Sequence, residues 1–137
     1  MKKFNIKPFF ALLFTIIVLA SCKKDKDEVL PAPTLTGLEV GSNNSKVAFA
    51  GNDVHIEGEI LAPANLASVA IEIHAKTGTG WKFEQVYTEG FAGLKNAELH
   101  KHIDIPADAV LGLYHVHIKI TDQAGQVTDV ESDLEIK

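Results

Sequence analysis

From Thr34 to the C-terminus, apolar and polar residues alternate with a period of two, as half-buried strands require. The alternation predicts strands over 35–40, 54–60, 69–74, 81–87, 97–105, 113–121 and 127–136. In the second, Val54, Ile56, Gly58 and Ile60 share one face, and His55, Glu57 and Glu59 share the other. In the third, Val69, Ile71 and Ile73 oppose Glu72 and His74. The fifth sets Ala97, Leu99, Ile103 and Ile105 against Glu98, His100, His102 and Asp104. Lys101 interrupts its inner row, which puts this stretch near an edge or an end. The sixth sets Tyr114, Val116, Ile118 and Ile120 against His115, His117 and Lys119, and the seventh turns Val130, Ser132, Leu134 and Ile136 inward. No stretch carries a convincing amphipathic helical pattern. About seven short strands with turn residues between them predict an all-β, immunoglobulin-like antiparallel β-sandwich spanning residues 34–137.

The first residues obey a different rule. Lys2, Lys3 and Lys7 make a positive start, and residues 9–19 are almost wholly apolar. That run is too short to cross a membrane as a helix, which needs about 20 residues, so it reads as a secretory leader. Leu19-Ala20-Ser21-Cys22 follows, and Cys22 is the only cysteine in the chain. This tetrapeptide resembles the lipobox of bacterial lipoproteins. The resemblance implies a signal peptide over 1–21, cleavage before Cys22 and acylation of its thiol, palmitate being a typical chain. An ordinary leader followed by a stray cysteine is the competing reading. Two or three acyl chains would hold the protein firmly, since each buried methylene contributes about 0.8 kcal/mol. With its only thiol acylated, the domain could form no internal disulfide and would depend on burial alone.

Residues 23–28 read Lys-Lys-Asp-Lys-Asp-Glu, and Pro31 and Pro33 come next. So charged a stretch cannot bury apolar surface, and residues 22–33 are expected to form an extended tether. It resembles the surface-export signal of Bacteroidetes lipoproteins. That resemblance implies an outer-membrane anchor with cell-surface display, against the alternative of a periplasm-facing anchor.

Loss of the leader leaves 116 residues and takes the formal charge from −5 to −8. That length suits one domain plus a tether. There is no arginine. Nucleic-acid binding relies on a basic surface, so an acidic chain without arginine argues against that partner class.

The last third carries a further likeness. Ile105-Pro106-Ala107-Asp108, Gly112-Leu113-Tyr114 and Thr121-Asp122-Gln123-Ala124-Gly125-Gln126 resemble the final hairpin of bacterial immunoglobulin-like domains. With His100-Lys101-His102-Ile103-Asp104-Ile105-Pro106 and Tyr114-His115-Val116-His117, nearly the whole chain is similar to an uncharacterised family of Bacteroidetes lipoproteins, a domain of unknown function with histidine-rich strands. The resemblance implies fold and location and brings no activity with it.

The chemical clue is the six histidines, all on polar faces of predicted strands. Residues two apart in a strand share a face at roughly 6.5–7 Å, so the imidazoles of a His-x-His pair can reach one ion. In an immunoglobulin-type sandwich the second strand pairs with the fifth and the third with the sixth. His55 is then expected near His102 and Asp104, and His74 near His115. Two three-histidine groups follow: His55, His100 and His102 on one outer face, His74, His115 and His117 on the other. Imidazole donors suit zinc, copper or nickel, and zinc or copper is the candidate cofactor. A histidine-bearing surface for a protein partner or a pH response is the second reading, and no role at all is the third.

Other groups carry less. Glu57/Glu59 and Glu131/Asp133/Glu135 read as solvated faces, and Asp122 as a turn former. Trp81, Phe83 and Tyr87 are either caps on the core or a sugar-stacking platform. No nucleophile elbow, phosphate loop or zinc-protease helix motif is present, so no catalytic residue is assigned. The expectation is a membrane-anchored, non-enzymatic binding lipoprotein that captures a transition metal. Its alternative is an interaction or accessory domain for an outer-membrane transporter or glycan-uptake system. Replacing Cys22 by serine should leave the chain uncleaved or release it from membranes. Carbonate washing of membrane fractions checks this, and wild-type retention by Cys22→Ser would refute the anchor.

Overall fold

A computed structural model describes residues 28–137. The leader, Cys22 and the first part of the tether lie outside the described residues. The alternating stretches form eight strands: β1 (Thr34–Val40), β2 (Val47–Ala48), β3 (Asp53–Leu61), β4 (Leu66–Ala75), β5 (Lys82–Tyr87), β6 (Asn96–Asp104), β7 (Gly112–Asp122) and β8 (Val127–Ile136). The one strand without a sequence signal is β2. At two residues it is too short to show a period, and it is held by parallel pairing with the end of β8. Among the described residues the only helix is a 3₁₀ turn at Ser42–Asn44.

The strands make two sheets, β1-β3-β6 and β2-β8-β7-β4-β5. Apart from β2, every pairing is antiparallel. Both inner faces are the predicted apolar rows. Val54, Ile56 and Ile60 of β3 and Leu99 and Ile103 of β6 face Val69, Ile71 and Ile73 of β4, Val116, Ile118 and Ile120 of β7 and Leu134 and Ile136 of β8, and all are buried. This is the immunoglobulin-like sandwich, closed here by burial. Its corner is pinned by Tyr114 at the start of β7. The Tyr114 hydroxyl donates to the Val110 carbonyl at 2.6 Å, and its ring is buried. A tyrosine in this place that bonds backward to the chain is a recurrent feature of such sandwiches.

The exception in the inner row is explained by its surroundings. Lys101 lies on β6, an edge strand, opposite Ile56. Its ammonium leaves the core sideways and sits 4.5 Å from the Tyr87 ring centroid and 5.5 Å from that of Phe91. A cation over aromatic faces at such a rim contributes roughly 0.5–1 kcal/mol. Asp122, buried at the end of β7, accepts from the Gln126 backbone N–H at 2.8 Å and so closes the β7–β8 turn, as its sequence position suggested.

Ile118 is fully buried at the centre of the five-stranded sheet. Ile118→Ala should destabilise the domain by about 2–5 kcal/mol, the range for truncating a large aliphatic side chain in a packed core. Denaturant unfolding checks this, and a loss below about 0.5 kcal/mol would mean that the β7 faces are inverted.

Candidate metal centre on the three-stranded sheet

With the apolar row of β3 turned inward, Asp53, His55, Glu57 and Glu59 must line its outer face. The same alternation on β6 turns Glu98, His100, His102 and Asp104 outward. The β3–β6 register then sets His55 directly across from His102 and Glu57 across from His100. Three imidazoles meet as a result. His55 Nδ1 lies 3.3 Å from His102 Nε2, and His100 Nε2 lies 3.4 Å from the same atom. The ring centroids are 5.0–5.4 Å apart.

Carboxylates occupy the far side of this group. Asp53 accepts from His102 Nδ1, and Glu57 Oε2 accepts from His55 Nε2 at 3.2 Å. His100 Nδ1 stands 3.8 Å from Glu57 and 3.8 Å from Glu98. The hydrogen bond from His102 holds the Asp53 carboxyl below its ordinary range. These acceptors place the imidazole protons on the outer nitrogens. His55 Nδ1 and His102 Nε2 are left facing each other as lone pairs at a distance where two acceptors repel. A proton or a cation between them removes the repulsion. Two nitrogens held about 2.0–2.1 Å from a tetrahedral ion lie roughly 3.3–3.4 Å apart. The His55–His102 and His100–His102 pairs have this spacing, and the three ligand atoms all lie within 4.8 Å of one another. Imidazoles oriented by outer carboxylates are the usual support of histidine metal sites. The donor set therefore fits a transition metal with three nitrogen ligands and one open position.

The second histidine group is arranged differently. His74 is paired across β4 and β7 with His115, as expected. Yet the three rings stack, with centroids 5.4–5.9 Å apart and planes within 14–26°. His115 Nδ1 donates to Glu131, His117 Nδ1 approaches Asp129 at 3.4 Å, and His74 Nδ1 approaches the Ala75 carbonyl at 3.1 Å. The atoms within ligand range of one another belong to His115, His117 and Glu131, and His74 is not among them. The expected trio is therefore brought together as a stack without a common focus.

One expectation is corrected by the register: Asp104 pairs with Asp53 and does not stand beside His55, and Asp53 is the carboxylate on His102. Glu57 stands on a solvated face, as the alternation implies, and is in addition a direct partner of His55. The signal for both was present as Asp53-x-His55-x-Glu57, three polar residues on one face of one strand. Trp81, Phe83 and Tyr87 are partly buried against the core, with Trp81 6.4 Å from Tyr114, which is the capping arrangement.

Comparison with known proteins places the chain among small β-sandwich domains. It belongs to the family described as a domain of unknown function, DUF4625, which matches residues 20–137. No curated protein matches it. Among solved structures it is similar to wild-type OgpA from Akkermansia muciniphila, at 11% identity and a TM-score of 0.59 in one crystal form. The match covers 79% of this chain and 28% of that one, so this chain spans under a third of OgpA. It is also similar to a Niemann-Pick type C2 protein from the Japanese carpenter ant, at 8% identity and a TM-score of 0.57, covering 78% of this chain and 94% of that one. Likenesses at such identities establish the fold.

Proposed function

We propose that this protein is a non-enzymatic binding lipoprotein, anchored through Cys22 in the outer membrane and displayed at the cell surface, which captures a transition metal at His55, His100 and His102. The observation that carries the reading is the convergence of three imidazole nitrogens, two of them on rings whose other nitrogen is hydrogen-bonded to a carboxylate on the far side. Gathering these imidazoles serves no core packing, because the site lies on an outer face. The histidines are partly to half exposed, His55 at 20% and His102 at 56%, so a bound ion would be open to exchange. Nitrogen donors without thiolate suit zinc, copper or nickel. His115 and His117 with Glu131 offer a looser second position on the opposite face. The lipobox and the charged tether support the anchor. Among the described residues no helix is long and apolar enough to cross a membrane.

A second reading is an interaction domain, accessory to an outer-membrane transporter or glycan-uptake system. It is supported by exposed Val110, Leu111 and Leu113 at the β6–β7 corner, an apolar group that a partner would cover. The occurrence of a similar fold as a minor part of OgpA accords with a domain that works beside others.

Calorimetric titration of the purified protein with zinc and copper tests the metal reading. Binding tighter than about 100 μM, near −5.5 kcal/mol, is expected for at least one of them. The double change His100→Ala with His102→Ala should abolish this site, and His115→Ala with His117→Ala should leave it. Asp53→Asn should weaken it about 10–100-fold by releasing His102. Because protonated imidazole does not bind metal, affinity should fall as the pH is lowered from about 8 to about 5. Absence of any binding in wild type would leave the interaction reading.

A further inference from the structure

Beside the histidine group runs a cleft that the metal reading does not use. It holds about 600 Å³ between the β1–β3 connection and the outer face of β3, and His55, His102 and Asp53 form one wall. The opposite wall carries Val47 and Phe49, with Ser42, Ser45 and Asn52 as polar points. Phe49 is 54% exposed, an aromatic side chain left half open to solvent. The volume is in the range of sites for small organic ligands.

This wall is built stiffly. Asn43, Asn44 and Lys46 all have positive φ, near 54–58°. That conformation is uncommon for residues with a side chain, and it persists only where surrounding bonds fix it. Here they do. Asn44 Oδ1 accepts from the Val40 N–H at 3.2 Å, and the Lys46 N–H donates to the Val40 carbonyl at 2.8 Å. The Gly41 N–H donates at 2.8 Å to the carbonyl of His55 itself, so the loop is bonded to a metal-site residue. Gly41 admits no side chain, since a Cβ there would lie 2.7 Å from Ser45 Oγ and 2.8 Å from the Val47 carbonyl. A loop held in a costly conformation against the site is a preformed wall, which reduces the ordering cost of binding.

Resting on the metal reading, we infer that the site binds its ion together with a small neutral ligand, an aromatic nitrogen heterocycle of the imidazole or pyridine kind, whose ring nitrogen takes the open coordination position and whose apolar body lies in the cleft on Phe49. Three histidines leave a fourth position free, and the cleft shares two of those histidines. The choice of a neutral donor follows from charge. Asp53, Glu57 and Glu98 surround the histidines, so a divalent ion leaves the group with one negative charge. The cleft lining contains no lysine, and the chain contains no arginine. Beyond the ion itself, an anionic donor would find no side-chain cation and would add to a group that is already negative with the ion bound, whereas a neutral nitrogen donor adds no charge. Phe49 and Val47 supply the apolar surface for the remainder of the ligand.

The test uses the full chain in detergent, loaded with cobalt(II), whose visible bands report the ligands around the ion. Imidazole, 4-phenylimidazole and benzoate are titrated in turn. The phenyl group should make 4-phenylimidazole bind about tenfold or more tighter than imidazole, as burial of an aromatic ring allows. Benzoate, with the same ring and an anionic donor, should be the weakest. Phe49→Ala should abolish the difference between 4-phenylimidazole and imidazole while cobalt affinity stays at its wild-type value. Ser42→Trp, an exposed position from which an indole would fill the cleft, should do the same and guards against a local effect of the first change. If cobalt binds but the phenyl group brings no gain, or the gain survives both variants, the cleft is no ligand site and the metal reading stands alone. If benzoate binds most tightly, the ligand class is wrong. If cobalt does not bind at all, the metal reading fails and this inference falls with it.

Discussion

The register between β3 and β6 is the constraint on which the rest of the molecule depends. It is enforced by burial. Val54, Ile56 and Ile60 must share the inner face with Leu99 and Ile103, because a slip of one residue would turn every charged side chain of the strand into the core. A slip of two would keep the faces but move Lys101 off its place opposite Ile56, where the edge lets its ammonium reach Tyr87 and Phe91. The core thus selects the pairing, and the pairing selects the partners on the far face. His55 meets His102 because their neighbours in sequence are apolar and packed.

Much of this was legible from residue order. Period two gave the strands and their faces, and the immunoglobulin-like pairing of second with fifth and third with sixth placed His55 by His102 and His74 by His115. What the pattern could not convey was where a side chain leans. Asp53 and Glu57 carry the outer hydrogen bonds of the site, and their spacing around His55 matches any solvated strand face. Strand β2 also escaped, because two residues have no period and the pairing partner, the end of β8, is distant in sequence. The rigid loop before it depends on backbone dihedrals at Asn43, Asn44 and Lys46, which only Asn43 and Asn44 hint at by residue type.

The two histidine groups pose a sharper question, since their sequence patterns are nearly the same. Each consists of one histidine opposite a His-x-His pair on an antiparallel neighbour. One converges and the other stacks. The difference lies in what stands on the other side of the His-x-His strand. Among the described residues strand β6 is an edge with no strand beyond it, so His100 and His102 find their partners toward β3 and along their own strand. Strand β7 is central, and β8 presents Asp129, Glu131 and Asp133 beside it. His115 turns its Nδ1 to Glu131 and His117 to Asp129, each reaching diagonally across the sheet, and the rings are drawn into parallel planes. Equal motifs therefore acquire unequal chemistry through their position in the sheet. An edge strand lets imidazoles gather around one point, while an acidic neighbour spreads them along a ladder.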